Sequence, residues 1–317
     1  MRILLWHVHG SYTTSLVQGR HTYLLPVEPG RGPDGRGRAR TWDWPASAVE
    51  VTAQECAAAE VDAVVLQRPE ELHNLAHTWL GGRRPGRDLP AVYLEHNAPQ
   101  GRINELRHPA ADRSDLTVVH VTHFNDLMWD CGTTPTTVIE HGIVDPGPRY
   151  TGDVARAAVV INEPVRRARV TGTDLLPRFA AAAGIDLYGM GVGDVGVPGV
   201  TPHDDVPQDR MHDELARRRV YVHPIRWTSL GLSLIEALHL GMPVVALGTT
   251  EAFEAVPPEA GVVSTDVGRL VRATRELIAD PARARAHGDK ARAAALSRYG
   301  LRRFLSDWDR LLEEVTR

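Results

Sequence analysis

The chain has 317 residues, about the length of two ordinary domains. Its 36 basic and 40 acidic residues give a formal net charge of −4, which argues against a nucleic-acid-binding protein because such proteins carry a basic surplus. No apolar run approaches the ~18 residues of a membrane span, and the apolar run at residues 3–6 is too short for a signal peptide. Cys56 and Cys131 form neither a disulfide framework nor a CxxC metal pair. We therefore expect a cytoplasmic protein with reduced thiols, no transmembrane segment and no metal site, and the sequence leaves its oligomeric state open.

The first half of the chain alternates short apolar runs with helix-like stretches. Runs that are apolar on both faces predict buried parallel strands, here residues 1–8, 61–66, 91–94, 116–121 and 136–139. Helices are predicted over residues 70–80 and, after an N-cap at Thr122, up to residue 131. Residues 28–40 are rich in Gly, Pro and Arg and predict a loop.

A second strand–helix series follows residues 142–155, where three Gly, two Pro and no apolar period predict a linker between domains. The strands predicted in this series are residues 157–161, 185–188, 220–222 and 244–247. The predicted helices are residues 175–183, 211–218, 233–240 and 267–278, with further helices from residue 281 to the end. Strands that alternate with helices in this way predict two α/β domains, each with a doubly wound parallel sheet.

Ligands of open α/β sheets bind at the carboxyl ends of the strands. Among the turns that this rule selects are His9-Gly10-Ser11, Arg68-Pro69-Glu70 and Glu95-His96-Asn97. Gly10 permits a close backbone approach to a ligand. No G-x-G-x-x-G motif occupies the turn after the first strand, which counts against a nicotinamide or flavin enzyme.

Residues 223–247 (HPIRWTSLGLSLIEALHLGMPVVAL) carry the most information. A strand ends near Val222, and a helix is predicted to begin near Gly231. The free N–H groups and positive dipole end of that helix favour a phosphate. Glu236 lies about one turn into the helix, where its carboxylate is placed to accept hydrogen bonds from a ribose diol. The alternatives are ordinary helix capping by Ser229 and a structural ion pair for Glu236.

This segment resembles the family-4 glycosyltransferases of the GT-B fold, whose signature is E-x-F-G-L-x-x-x-E-A-x-x-x-G-x-P-V-V. The residues at the matching positions are Gly231, Leu232, Glu236, Ala237, Gly241, Pro243, Val244 and Val245, with Leu230 in place of the Phe. A weaker likeness joins residues 138–145 to the V-I-P-N-G-V-D stretch that precedes the family's linker. Residues 172–176 likewise resemble the G-x-x-L-L that follows its R-x4-K motif. Thr228 replaces the first Glu of E-x7-E, and Thr171 stands at the Lys of R-x4-K.

The resemblance implies a GT-B fold, in which two Rossmann-like domains face each other across a cleft. Residues 1–145 would bind the acceptor and residues 146–298 the donor, and the helix at residues 299–317 would cross back to the first domain. The implied reaction moves a sugar from a nucleotide-diphosphate sugar, which is a co-substrate, to a hydroxyl acceptor. Retention of configuration is implied, without a metal or other cofactor.

The same resemblance implies roles for particular residues. Arg166, helped by Arg167 or Arg169, would clamp the diphosphate, and His96 would hydrogen-bond the donor sugar. The further donor-binding residues predicted are His9, Gly10, Ser11, Thr228, Ser229, Gly231, Leu232, Ser233 and Glu236. Candidates for the acceptor are Trp42, Trp44 and Asn97, with core packing or loop anchoring as the alternative for the two tryptophans. Because Thr228 replaces a carboxylate, the sugar is either gripped differently or is not a usual hexose.

Other functions stay open on the sequence alone. A nucleotide-sugar epimerase or phosphorylase of the same fold would need an acid or base near the sugar, such as His96 or Glu95. A non-catalytic nucleotide-sugar binding protein is suggested by Thr228. A nicotinamide-dependent oxidoreductase is the weakest of the alternatives.

Overall fold

The computed structural model describes residues 1–317. The chain divides into two compact units. Unit 1 comprises Met1–Val144 together with Leu301–Arg317, and unit 2 comprises Asp145–Gly300. Each unit contains one parallel sheet with helices, so the predicted α/β class is confirmed.

The sheet of unit 1 has seven parallel strands. In chain order these are β1 (Arg2–Leu5), β2 (Thr22–Pro26), β3 (Ala48–Val51), β4 (Ala63–Leu66), β5 (Ala91–Glu95), β6 (Thr117–His120) and β7 (Thr136–Val138). Their spatial order is β3-β2-β1-β4-β5-β6-β7, and Leu4 of β1 pairs with Leu24 of β2 and Val64 of β4. The direction of winding therefore reverses between β1 and β4, and this switch point is where a doubly wound sheet binds ligands.

The sheet of unit 2 has six parallel strands. They are β8 (Val154–Val160), β9 (Ile185–Gly189), β10 (Val200–Asp204), β11 (Arg218–His223), β12 (Val244–Leu247) and β13 (Gly261–Ser264). Their order is β10-β9-β8-β11-β12-β13, so the switch point of this unit lies between β8 and β11.

Twelve α-helices accompany the two sheets. They are α1 (Gly10–Leu16), α2 (Ala53–Ala58), α3 (Ala76–Trp79), α4 (His123–Met128), α5 (Pro164–Arg167), α6 (Leu176–Ala180), α7 (Gln208–Arg217), α8 (Leu232–Leu240), α9 (Ala252–Ala255), α10 (Val267–Ala279), α11 (Pro281–Arg298) and α12 (Leu301–Val315). A π-helical turn, Glu71–Leu75, precedes α3, and two short 3₁₀ turns lie at Ile103–Glu105 and Thr173–Leu175. None of the helices combines the length and apolar character that a bilayer crossing requires.

Local sequence explains where the helices begin. The Thr122 side chain accepts a hydrogen bond from the backbone N–H of Asn125, as its predicted N-cap role requires. Asp266 caps α10 in the same way. Asp280 caps α11, where Pro281 follows at the first helical position and needs no donor.

Strands β4 and β12 are apolar at every position because helices cover both faces of each sheet. All four residues of Ala63–Leu66 in β4 are buried, as are all four of Val244–Leu247 in β12. One core forms in unit 1, with Trp6 and Trp79 in edge-on contact, and a second core forms in unit 2 around Phe179.

The terminal helix α12 belongs to unit 1. Phe304 and Trp308 are buried on its inner face, and the Trp308 indole N–H donates to the Tyr12 hydroxyl at 3.0 Å. A Cβ at Gly142 would overlap the Phe304 side chain, so glycine is required where the helix lies against this segment. The helix thereby supports the segments that follow β1 and β7.

Several sequence expectations differ from the observed elements. The first strand ends at Leu5 rather than at residue 8, and the predicted turn at His9-Gly10-Ser11 is the start of α1. The predicted helix at residues 70–80 is a π-helical turn followed by the short α3. Four strands have no counterpart among those predicted from the sequence, namely β2, β3, β10 and β13. The edge strands β3 and β10 are partly exposed, and β10 contains a proline, so neither shows the continuous apolar run of a buried strand.

Candidate functional site

The switch point of unit 2 brings together two loops, one after β8 and one after β11. The amide N–H groups of Arg226 and Trp227 donate to the Val170 carbonyl at 2.8 and 3.3 Å. Gly172 has φ of +74°, and a Cβ there would overlap the Pro224 carbonyl. Only glycine allows this approach. Two segments that were predicted to bind the donor are residues 166–172 and residues 228–236. They therefore follow the carboxyl ends of two neighbouring strands of this sheet.

Helix α8 begins at this edge. Its N-cap residue, Gly231, has no side chain that could cap the first amides, and the Leu234 amide is the first to donate back, to the Gly231 carbonyl at 3.0 Å. The N–H groups of Leu232 and Ser233 come earlier in the helix than this first hydrogen bond. They lie at the positive end of the helix dipole. A Cβ at Gly231 would lie 2.8 Å from the buried His223 ring. This arrangement suits an anionic ligand.

Glu236 is buried on the same helix. Its carboxylate accepts a hydrogen bond from Gln208 Nε2 at 2.8 Å and lies 3.4 Å from His212 Nε2. Both partners are on α7. The carboxylate therefore has protein partners, as the ion-pair alternative expects, and it retains further acceptor capacity for a ribose diol.

The arginines of the loop after β8 differ in their partners. Arg166 pairs with Glu163, and Arg169 pairs with Asp174 at 3.2 Å. Both arginine side chains are about three-quarters exposed, at 73% and 76%. Arg167 is half-buried and has no ion pair, and burial together with the neighbouring Arg166 lowers its pKa. Arg167 is thus the cation of this loop that no carboxylate neutralises.

The backbone on both sides of α5 is strained. Glu163 has φ of +54° and Ala168 has φ of +38°, values that residues with a Cβ rarely adopt. Such strain persists where surrounding structure enforces it, and it clusters at functional sites. Further along, partly exposed Thr228 and buried Ser229 lie in the loop that leads to Gly231.

The switch point of unit 1 contains His9, which follows β1, and Gln67, which follows β4. The ring centroids of His9 and His96 are 4.2 Å apart, and His96 Nε2 lies 2.9 Å from Gln67 Oε1. The Gln67 amide nitrogen donates to the Trp6 carbonyl at 2.7 Å, so the amide oxygen must face His96. His96 Nε2 therefore carries the hydrogen and donates it to Gln67.

Glu71 holds Gln67 in the position from which it contacts His96. Its fully buried carboxylate, on the π-helical turn, accepts hydrogen bonds from the backbone N–H of Gln67 at 2.7 Å and from Arg68 Nε at 2.6 Å. Burial raises the pKa of Glu71 to about 7, although Arg68 opposes the shift. Neither Gln67 nor Glu71 was identified from the sequence, since no motif marks them.

The imidazole of His141 lies near those of His9 and His96, next to Tyr12. His141 follows β7 and contacts Tyr12, with ring centroids 5.6 Å apart, and Tyr12 also contacts His96. Neither ring nitrogen of His141 has a hydrogen-bond partner, although the side chain is buried. Burial lowers the pKa of His9 to about 4, that of His141 to about 3 and that of His96 well below its usual range. The three imidazoles are therefore neutral at pH 7.

The other residues predicted for unit 1 lie around these imidazoles. Gly10 and Ser11 form the first turn of α1, and the Trp42 ring covers Gly10 so closely that a Cβ would overlap it. Trp44 is buried and donates its indole N–H to Thr14 Oγ1 at 2.8 Å, which fits the loop-anchor alternative. Asn97 is exposed, and its backbone N–H donates to Glu95 Oε1 at 2.6 Å.

Buried neutral histidines make the stability of the protein depend on pH. Burial lowers the pKa of His120, His141 and His223 to about 4, about 3 and about 4. Each returns to about 6.5 in the unfolded chain. Between about pH 6.5 and about pH 4 the unfolded state then binds more protons, so the free energy of unfolding falls as the pH falls. Glu71 acts in the opposite direction, because its raised pKa favours the folded state once it is protonated.

We predict that the buried histidines together outweigh Glu71, so that the free energy of unfolding measured with urea falls from about pH 7 to about pH 5. Each group contributes at most roughly 1.4 kcal/mol per pH unit. The Glu71→Gln variant should show a steeper fall, because it removes the opposing group. An unfolding free energy that stays constant or rises on acidification would contradict this assignment.

One protein-family model matches the part of the chain that contains α8. Residues 182–280, which are less than a third of the chain and lie within unit 2, match the family model described as glycosyl transferases group 1. A search of curated protein sequences gives no match to the chain.

Solved structures resemble the chain over nearly its full length. Sucrose-phosphate synthase from Thermosynechococcus elongatus superposes with a TM-score of 0.75 at 14% identity, covering 99% of both chains. HepE from Anabaena, in complex with UDP-glucose, gives a TM-score of 0.71 at 15% identity, covering 99% of this chain and 100% of its own. The pneumococcal O-GlcNAc transferase GtfA, in complex with UDP and GlcNAc, gives a TM-score of 0.59 at 11% identity over a smaller part, 80% of this chain and 56% of that longer chain.

These likenesses establish the fold, which is GT-B as the sequence predicts. The matched segment contains α7, α8 and the loop between β11 and α8. With its GT-B fold and its group 1 segment, the chain is a glycosyltransferase.

Proposed function

We propose that the protein transfers a sugar from a nucleotide-diphosphate sugar to a hydroxyl acceptor, with the nucleotide diphosphate on unit 2 and the acceptor on unit 1. The observation that carries this proposal is the uncapped N-terminus of α8, next to an arginine-bearing loop at the switch point of unit 2. The structures of HepE with UDP-glucose and of GtfA with UDP and GlcNAc support it, since they share this fold.

In this proposal each part of the donor has a partner. The ribose hydroxyls donate to Glu236. The diphosphate accepts hydrogen bonds from the amides of Leu232 and Ser233 and from arginine. Negative charge grows on the departing diphosphate as the glycosidic bond breaks, and donors already in place stabilise that charge without rearrangement. Arg167 meets this requirement directly, whereas Arg166 and Arg169 must first leave their carboxylate partners.

The neutral state of His96 limits its role. A buried imidazole that donates through Nε2 to Gln67 is suited to hydrogen-bonding a sugar. It is not suited to holding a positive charge at pH 7. We therefore assign His96 to the donor sugar and not to proton abstraction.

The first experiment is thermal stabilisation by UDP, GDP, ADP and dTDP and their sugar conjugates, with NAD as a control. A ligand at 100 times its dissociation constant adds about 2.7 kcal/mol of stability. We expect one nucleoside diphosphate to stabilise the protein, which also identifies the base. Stabilisation by none of them would contradict the donor site. A nucleotide sugar that binds but is transferred to no acceptor would favour the non-catalytic binding protein suggested by Thr228.

Replacing Glu236 tests the ribose contact. Glu236→Gln should weaken binding of that nucleoside diphosphate by about 10- to 150-fold, because one charge-assisted hydrogen bond is lost. Glu276→Gln is the matched control, since Glu276 is an exposed, ion-paired carboxylate on α10 of the same unit. Equal affinities in the two variants would remove Glu236 from the site.

Replacing the arginines tests which cation meets the diphosphate. Arg167→Gln should weaken binding of the nucleoside diphosphate more than Arg166→Gln does, because Arg166 is already paired with Glu163. The corresponding nucleoside without phosphates should bind both variants equally. A larger loss for Arg166→Gln would show that its ion pair opens when the ligand binds.

The resemblance further supports transfer with retention and without a metal, since arginine and helix amides neutralise the diphosphate. We expect nuclear magnetic resonance spectra of the product to show the anomeric configuration of the donor. We also expect the rate to be unchanged by a chelator. An inverted product, or activity that a chelator abolishes and Mg²⁺ restores, would contradict these two assignments.

A further inference from the structure

Two arginines lie at the switch point of unit 1, and they differ in how they are bound. Arg68, after β4, binds Asp34 at 3.0 Å and Glu71 at 2.6 Å, and its Nη2 is buried without a partner. The Arg36 side chain is exposed and makes no ion pair, and the single hydrogen bond of its guanidinium is a long one of 3.5 Å to the Val8 carbonyl.

The backbone that carries Arg36 is held firmly at the end of β1. Residues 34–37 are tied to neighbouring strands and loops by a set of hydrogen bonds. These are Trp6 Nε1 to the Asp34 carbonyl at 3.0 Å, the Glu28 amide to the Gly35 carbonyl at 2.9 Å, the Gly37 amide to the Pro26 carbonyl at 2.9 Å, and His7 Nδ1 with the Gly37 carbonyl at 3.0 Å. Arg36 is therefore presented at a fixed place.

Two neighbouring arginines, Arg31 and Arg38, by contrast hold the loop together. Arg31 binds both carboxylate oxygens of Glu50, at 2.8 and 3.1 Å. Arg38 donates to backbone carbonyls, including that of Pro45 at 3.0 Å. Arg36 makes no comparable bond, so its guanidinium fork remains available to a ligand.

Arg36 lies beside the imidazoles of the candidate site. Its positive charge adds to burial in lowering the pKa of His7 and of His9. His9 in turn contacts His96, with ring centroids 4.2 Å apart. One imidazole therefore separates Arg36 from the residue that we assign to the donor sugar. The carboxylates of Asp34 and Glu71 are already bound by Arg68 and leave the charge of Arg36 uncompensated.

We propose that the acceptor is a small molecule with a carboxylate or phosphate group, and that Arg36 binds this group. The proposal rests on the proposed function, in which unit 1 holds the acceptor. A guanidinium makes two parallel hydrogen bonds to such an oxyanion. Arg36 reaches the carbonyl of Val8, the residue before His9, and His9 contacts His96. The anionic group would then lie near the hydroxyl that receives the sugar, so Arg36 determines which acceptors bind.

The test compares charged and neutral probes by calorimetric binding to the full-length protein. Glycerol phosphate and glucuronate are the anionic probes, and glycerol and glucose are their neutral partners. We expect an anionic probe to bind at least about 10-fold more tightly than its neutral partner. This preference should disappear in Arg36→Gln and be partly retained in Arg36→Lys, which keeps the charge but not the fork.

Arg87→Gln is the matched control, because Arg87 is an exposed arginine on a loop of the same unit that precedes β5. It should bind the anionic probe as the unaltered protein does. The proposal is overturned if no anionic probe is preferred, or if Arg36→Gln and Arg87→Gln bind alike. Nucleoside diphosphate affinity, measured on the same variants, separates the two proposals. If it is intact in Arg36→Gln, a failure here concerns the acceptor alone, and if it is absent from every variant, the proposed function fails.

Discussion

The close approach of Gly172 to the Pro224 carbonyl is the constraint on which the proposed donor site depends. The strand order of unit 2 places β8 next to β11 and sends their following loops to the same edge. Backbone hydrogen bonds from residues 226 and 227 to Val170 then hold those loops together. Because of this contact, the N-terminus of α8 and the arginines after β8 share one edge, as binding of a diphosphate requires. A side chain at position 172 would separate them.

Unit 1 meets a different requirement. It keeps the imidazoles of its histidines in a fixed orientation and tautomer and in their neutral form. The indole of Trp308 and the side chain of Phe304 come from the end of the chain and support Tyr12 and Gly142. The hydrogen bonds of Gln67 determine the tautomer of His96, and burial keeps the imidazoles neutral. A neutral imidazole both donates and accepts hydrogen bonds, so it suits a hydroxyl-rich ligand better than an ionised group does.

Much of the architecture could be predicted from the sequence, because buried parallel strands leave a continuous apolar run. Residues 61–66 and 244–247 were identified as strands on this basis. The edge strand β10 was missed because its residues are mostly exposed and polar. The rule that ligands bind at carboxyl strand ends selected the turns at His9, His96 and the residues after Val222, which lie near the two switch points.

The finer properties of the site depend on partners that are distant in the sequence or have no motif. A motif alignment selected Arg166, but it does not reveal that Glu163 already binds this side chain. Gln67 reaches His96 only when β4 and β5 lie side by side, and Glu71 holds Gln67 through a local hydrogen bond that no motif marks. Arg36 differs from Arg31 and Arg38 of its loop in having no carboxylate and no close set of backbone carbonyls around its guanidinium, which the fold alone reveals.

Hydrogen–deuterium exchange with and without a nucleoside diphosphate tests the central claim most directly. The two loops at the switch point of unit 2 provide the predicted contacts, so the account predicts slower exchange in peptides covering residues 166–174 and residues 229–236. Exchange in peptides from the amino ends of the strands of the same sheet, such as residues 153–157, should not change. A nucleotide that binds but protects other segments, and leaves these two loops exchanging as before, would contradict the account.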